Sequence, residues 1–196
     1  MVLPVYGYGH PVLRAECLDI EENDSTIKEL IANMFETMYA ASGVGLAAPQ
    51  IGKSLRLFIV DASPFAEDYK DSDDPEDNKE YKSLKNFKKV FINPIIVEEE
   101  GEKWAFEEGC LSIPDIRADV HRQDTVVIEY YNEKWELVEE TYDGLAARVI
   151  QHEYDHIEGV LFTDLINPVR KRLLQRKLNN IVKGNISAKY KMRFAK

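Results

Sequence analysis

The stretch QHEYDH, residues 151–156, carries two of the chain's four histidines four positions apart, with a glutamate directly after the first. It constrains the fold because two imidazoles at that spacing reach one ion only from a helix. A four-residue helical step turns about 40° beyond a full circle and rises about 6 Å, so both rings project from one face. The flanking sequence LAARVIQHEYDHIEG supplies such a helix, with Leu145, Val149, Ile150 and Ile157 at helical spacing and Gly159 as a stop. His152 and His156 are therefore expected to be metal ligands. Glu153 is expected beside the ion rather than on it, as a carboxylate able to take a proton from water that the cation acidifies toward a pKa of about 7. The bland alternative is a pair of satisfied core or surface histidines, and ligand spacing around a glutamate weighs against it.

Two ligands do not complete a catalytic site, which needs three protein ligands and an open position. In the motif H-E-x-x-H-x-x-G-x-x-H a later histidine completes the set; here Gly159 matches the glycine, but Phe162 stands at the histidine position. A carboxylate from a downstream helix is also a poor option, because no Asp or Glu follows Asp164. The third ligand is expected upstream, and Cys110 in EEGCLSIPDIR is the candidate, presented from an extended segment. A thiolate and two neutral imidazoles around a divalent cation leave a net charge of about +1, suited to polarising a carbonyl and ionising water. Cys17 has no such company and reads as a small buried residue.

The 196 residues suit one domain, and two cysteines cannot form a disulfide framework. Neither a basic-then-apolar leader nor a membrane-length apolar window is present, so a cytoplasmic, membrane-free protein is expected. The formal charge is −10, yet ten of the 25 Lys and Arg lie after Asp164 and none of the 35 acids does. Residues 1–164 thus carry 15 basic against 35 acidic groups, and residues 167–196 form a basic helix and tail on an acidic body. Net negative charge argues against broad nucleic-acid binding.

Thr26 and Glu29 read as a capping box opening a helix through Ile27, Leu30, Ile31, Met34, Phe35 and Met38 that ends near Ser42 and Gly43. SLRLFIVD (54–61) and KVFINPIIVEE (89–99) read as strands, the second broken at Asn93-Pro94. Between them residues 66–88 form an acidic surface insert with eight acids from Glu67 to Glu80, expected to be a mobile loop without a catalytic role. Residues 124–144 read as a hairpin turning at Asn132-Glu133-Lys134. Asn167, Pro168 and Gly184 bracket a last helix with a stripe of Leu173, Leu174, Leu178, Ile181 and Val182. This order implies an α+β fold, with small antiparallel sheets packed around a central H-E-x-x-H helix and flanked by an N-terminal and a C-terminal helix.

A third stretch, GVGLAAPQIG (43–52), places two glycines where a backbone can approach a substrate and offers the Gln50 amide as an oxyanion donor. A turn after the first helix explains it nearly as well. Taken together and in order, however, GVGLAAPQ (43–50), EGCLS (108–112) and QHEYDH (151–156) resemble the three signature motifs of peptide deformylase. The likeness extends to YGHPVLR (8–14), INP (92–94) and HIEGVLFTDLI (156–166), and so covers Val5 to about Ile166.

The resemblance implies removal of the formyl group from the initiator methionine of nascent polypeptides, with release of formate. It implies Cys110, His152 and His156 as ligands of one divalent ion, natively Fe2+ and often Zn2+ or Ni2+ in preparations. It also implies Glu153 as general base and later proton donor, with Gln50 and the backbone N–H of Leu111 on the oxyanion. Gly45 and Gly109 would contact the substrate backbone, with Val44 and Arg117 near the peptide. The same helix would also serve a general metallopeptidase, or a non-catalytic module in which the three ligands staple the fold. The basic tail reads by default as a solvated helix face, and more sharply as a docking element for ribosomal RNA.

Overall fold

The computed structural model describes residues 1–22 and 24–195. In chain order its elements are β1 (Val5–Tyr6), α1 (Ile27–Ala40), β2 (Gly45–Ala47), β3 (Leu57–Asp61), α2 (Ser63–Ala66), α3 (Pro75–Leu84), β4 (Lys88–Cys110), β5 (Ile113–Tyr131), β6 (Leu137–Asp143), α4 (Gly144–Ile157), α5 (Phe162–Leu165), α6 (Pro168–Val182) and β7 (Met192–Arg193). Strands β2 to β6 form one antiparallel sheet in sequence order, and β1 pairs with β7 in a separate parallel ribbon. The expected α+β class and the central H-E-x-x-H helix are both present.

Strand β3 shows why the sheet is covered on both sides. Its residues alternate, with Phe58 and Val60 packing in the cluster that includes Ala146, Ala147 and Ile150 of α4. Leu57 and Ile59 pack instead with Ile31, Met34 and Met38 of α1. Period-two alternation with both parities apolar marks a strand buried on both faces. A third cluster holds α6 against the hairpin of β4 and β5 through Leu174, Leu178 and Ile181 on Ile113, Ile116 and Val120. Leu173, expected in that stripe, is 71% exposed.

Two local expectations change. Asn93-Pro94 does not end a strand: β4 runs on to Cys110, and the break becomes a register shift between Ile92 and Ile95 with Asn93 at φ 49°. The Asn93 side chain accepts from Ile20 N at 2.8 Å and donates to Ile20 O at 2.9 Å, which secures the bulge. The capping box at α1 is not made, because the Thr26 hydroxyl donates to Asp24 Oδ1 at 2.6 Å. Ser42, at φ 56°, ends that helix where expected, with Gly43 N donating back to Met38 O.

The acidic insert departs furthest from expectation. Instead of a mobile loop it contains α3, capped by Asp74 Oδ1 accepting from Glu76 N, and it buries Leu84 completely. Glu80 then accepts from Leu145 N at 2.9 Å, placing a carboxylate at the first turn of α4. An anion there is favoured by the helix dipole, so the insert braces the metal-site helix. The buried apolar residues Ala66, Leu84 and Phe87 are too scattered for periodicity to reveal this. If so, Leu84→Ala should lower unfolding stability by about 2–5 kcal/mol, measured by urea denaturation. A shift below 0.5 kcal/mol would mean that the segment is loosely attached.

Candidate metal centre

Two elements bring the site together. Helix α4 buries the face carrying His152, Glu153 and His156, and the hairpin of β4 and β5 turns through Leu111 and Ser112 so that Cys110 stands at the strand end. The ligand atoms of Cys110, His152 and His156 lie within 4.8 Å of one another, and Cys110 Sγ is 3.3 Å from His156 Nε2. Among the described residues no fourth His, Cys, Asp or Glu joins this group.

The surroundings suit a cation. His156 is buried, and desolvation together with the neighbouring His152 holds its pKa well below the usual histidine range, so it stays a neutral imidazole able to ligate. Burial opposes charge on His152 as well, but hydrogen bonds to Cys110 and Glu108 outweigh it and push its pKa well above the usual range. The site thus favours a positive charge between thiol and carboxylate, and a metal ion competes there with a proton.

Glu108 organises this environment. Its carboxylate accepts from His152 Nδ1 at 2.8 Å, from Arg122 Nε at 2.7 Å and Nη2 at 3.1 Å, and from Arg148 Nη1 at 3.1 Å. Burial works against its charge, yet the bonds from His152 and Arg122 hold it well below the usual carboxylate range. Arg122 also donates to Asp155 Oδ2 at 2.8 Å, and Arg148 donates to Val120 O and Trp104 O. By occupying His152 Nδ1, Glu108 leaves the other ring nitrogen free to ligate.

Glu153 is buried with one carboxylate oxygen lacking any hydrogen-bond partner, and desolvation pushes its pKa up to about 7. A Cβ on Gly45 would collide with the Glu153 carboxylate, so only glycine allows this approach. Gln50 is equally fixed: its Oε1 accepts from Ala47 N at 2.8 Å, which turns Nε2 toward Cys110 Sγ and Ser112 Oγ, each at 3.4 Å. These groups open onto a groove of about 880 Å³ that Val44, Gly109, Leu111 and Arg117 also line. Arg117, opposite Gly109 in the sheet, is largely exposed at the rim.

Sequence reasoning assigned no part to Glu108, Arg122, Arg148, Asp155 or Tyr190. Arg148, one helical turn before His152 on a buried face, and Glu108, within EGCLS, carried a usable signal: a charge where the pattern requires an apolar residue. Arg122 carried the same signal, at the parity of Ile116, Ala118 and Val120 in β5, whereas Tyr190 carried none, since only the tertiary fold brings it near.

Three candidate ligands with a buried, unpaired carboxylate beside them at the head of an open groove fit a hydrolase of the H-E-x-x-H class, and a closed structural staple does not fit this arrangement. The family model for polypeptide deformylase matches residues 2–172, and the chain belongs to that family. It is 56% identical over 194 residues to a peptide deformylase of Christiangramia forsetii, covering 99% of this chain and 96% of that one. It is 57% identical over 195 residues to that of Flavobacterium johnsoniae, covering 100% and 97%. Among solved structures, a plant peptide deformylase superposes with TM-score 0.79 at 32% identity, covering 93% of this chain and 90% of that one. The Thermotoga maritima enzyme gives 0.72 at 38%, covering 86% and 99%. The chain is thus an enzyme that removes the N-formyl group from nascent polypeptides with a single metal ion, and the broader metallopeptidase reading gives way.

No described helix is long and apolar enough to cross a membrane. Glu108→Gln keeps the size of the side chain and removes its charge. It should weaken metal retention by about 10–100-fold, measured by chelator competition, and unchanged retention would contradict the organising role of Glu108.

Proposed function

We propose that Cys110, His152 and His156 hold the ion, that Glu153 moves the protons, and that Gln50 Nε2 and the Leu111 backbone N–H bind the oxyanion. The observation that carries this reading is the convergence of the three ligand atoms within 4.8 Å beside a buried carboxylate with an unpaired oxygen. A divalent cation at this position supplies Lewis acidity and acidifies water.

The chain's own residues supply the rest. Glu153 takes a proton from the water that attacks the formyl carbon, and the burial that raises its pKa equips it to hold that proton near neutral pH. As the C–N bond breaks, Glu153 returns the proton to the departing amine, and formate is released. The Gln50 amide is turned toward the reacting centre by Ala47 N, so its donor needs no reorganisation as charge develops on oxygen. Val44, Gly45, Gly109 and Arg117 line the groove where the peptide would lie, Gly45 and Gly109 beside its backbone.

The soft sulfur among two imidazoles accommodates Fe2+, Zn2+ or Ni2+, and we assign Fe2+ as the native ion with Zn2+ or Ni2+ taken up in preparation. A nascent-polypeptide substrate supports a cytoplasmic location. A contact with ribosomal RNA is supported by the exposed Arg170, Arg172, Arg176, Lys177 and Lys183 on and after α6. Arg172→Glu with Arg176→Glu is expected to lower co-sedimentation with ribosomes at low salt; unchanged co-sedimentation would end that proposal.

The reaction is tested by formate release. A formyl-methionyl peptide should turn over and its acetylated counterpart should not. Glu153→Ala should abolish turnover with the metal retained, and Gln50→Ala should lower kcat by about 10²–10³, also with the metal retained. Loss of metal from Glu153→Ala, or full activity in Gln50→Ala, would overturn the corresponding role.

A further inference from the structure

The C-terminal segment is not the free basic appendage that its composition suggests. After α6 the chain turns at Gly184, whose φ is +68°, with Gly184 N donating to Ile181 O at 2.9 Å. It then runs back toward the N-terminus and pairs there as β7 with β1. Val5 N donates to Lys191 O at 2.9 Å, and Gly7 N donates to Arg193 O at 2.8 Å. Ile186 and Phe194 pack on the cluster beneath α6, so this strap is held at both ends. Between those anchors Ser187, Ala188, Lys189 and Tyr190 line the same groove as Gly109, Cys110 and Glu153. All of this lies beyond residue 172, where the family match ends.

Leu111 and Ser112 form the unpaired tip of the hairpin, between Cys110 and its cross-strand partner Ile113. The sheet ladder therefore does not orient them. Three other bonds do: the Tyr190 hydroxyl donates to Leu111 O at 2.6 Å, Tyr8 N donates to Ser112 O at 2.8 Å, and Gln50 Nε2 donates to Ser112 Oγ at 3.4 Å. The shortest of the three comes from the strap.

We propose that the strap, residues 185–194, is a wall of the substrate groove and that Tyr190 is a positioning residue holding the Leu111–Ser112 tip in its working orientation. The positioning role rests on the assignment of the Leu111 N–H to the oxyanion, where a donor displaced by even a fraction of an ångström loses much of its effect.

Tyr190→Phe keeps the ring and removes the donor. In the metal-loaded, full-length enzyme kcat is expected to fall about tenfold, with KM within about twofold and metal content unchanged. A merely structural hydroxyl would lower the melting temperature and leave kcat in place. Ala188→Trp, at a part-exposed position on the same wall, tests the strap independently of that hydrogen bond, and it should raise KM about fivefold or more with kcat little changed. A Tyr190→Phe enzyme with wild-type kcat overturns the positioning role, and an Ala188→Trp enzyme with wild-type KM overturns the wall. Gln50→Ala measured in parallel separates the two levels. Full kcat there removes the oxyanion reading itself, whereas an impaired Gln50→Ala beside a full-rate Tyr190→Phe removes only the role of the strap.

Discussion

A single buried carboxylate carries the architecture of the site. Glu108 joins strand β4 to β5 through Arg122 and to α4 through His152 and Arg148, and all four side chains are at most about one-tenth exposed. Burying such charges is costly, and a group of this kind persists only where every partner is present; losing one partner of a buried pair typically costs about 3–5 kcal/mol. The arrangement therefore fixes the distance between the helix that offers two imidazoles and the strand that ends in a thiol. It also fixes the His152 ring through Nδ1, a constraint that packing alone would not impose.

The groove depends on a different kind of constraint, which is clearance. Gly45 sits so close to Glu153 that any side chain there would displace the carboxylate, and a Cβ on Gly43 would come within 2.8 Å of Leu111 Cδ1. The segment from residue 43 to 50 is thus a spacer on one side of the site and, through Gln50, a donor on the other. The hairpin tip completes the opening, steadied by the two chain ends that meet in the ribbon of β1 and β7. In the proposed reaction α4 supplies two metal ligands and the proton-moving carboxylate, while the third ligand comes from the end of β4 and the Gln50 donor from the segment after β2.

Much of this was legible in the sequence because helical periodicity and ligand spacing are local properties. Leu145, Val149, Ile150 and Ile157 placed α4, and the failure of every downstream ligand pointed back to Cys110. The Asn132 turn and the Asn167–Pro168 start were equally readable, the latter borne out by Asn167 Oδ1 accepting from Val169 N at 2.8 Å. What escaped was non-local. The charge of residues 66–88 suggested solvation, while the buried Ala66, Leu84 and Phe87 and a carboxylate bound to α4 hold them in place. Asn93-Pro94 suggested an end to a strand, while the Asn93 side chain turns the break into a bulge. The basic residues after α6 concealed a strap whose apolar anchors, Ile186 and Phe194, are too few to form a pattern. Arg122 sits 14 residues from Glu108, so the ion pair that supports the ligands had no counterpart in any short motif.

In the proposed centre one sulfur and two imidazole nitrogens share a single ion. X-ray absorption at the metal edge of anaerobically prepared protein reads that directly. One sulfur and two nitrogen scatterers, with the remaining coordination supplied by light atoms exchangeable with solvent, is the predicted first shell. A shell without sulfur, or one filled by four protein ligands, would contradict it.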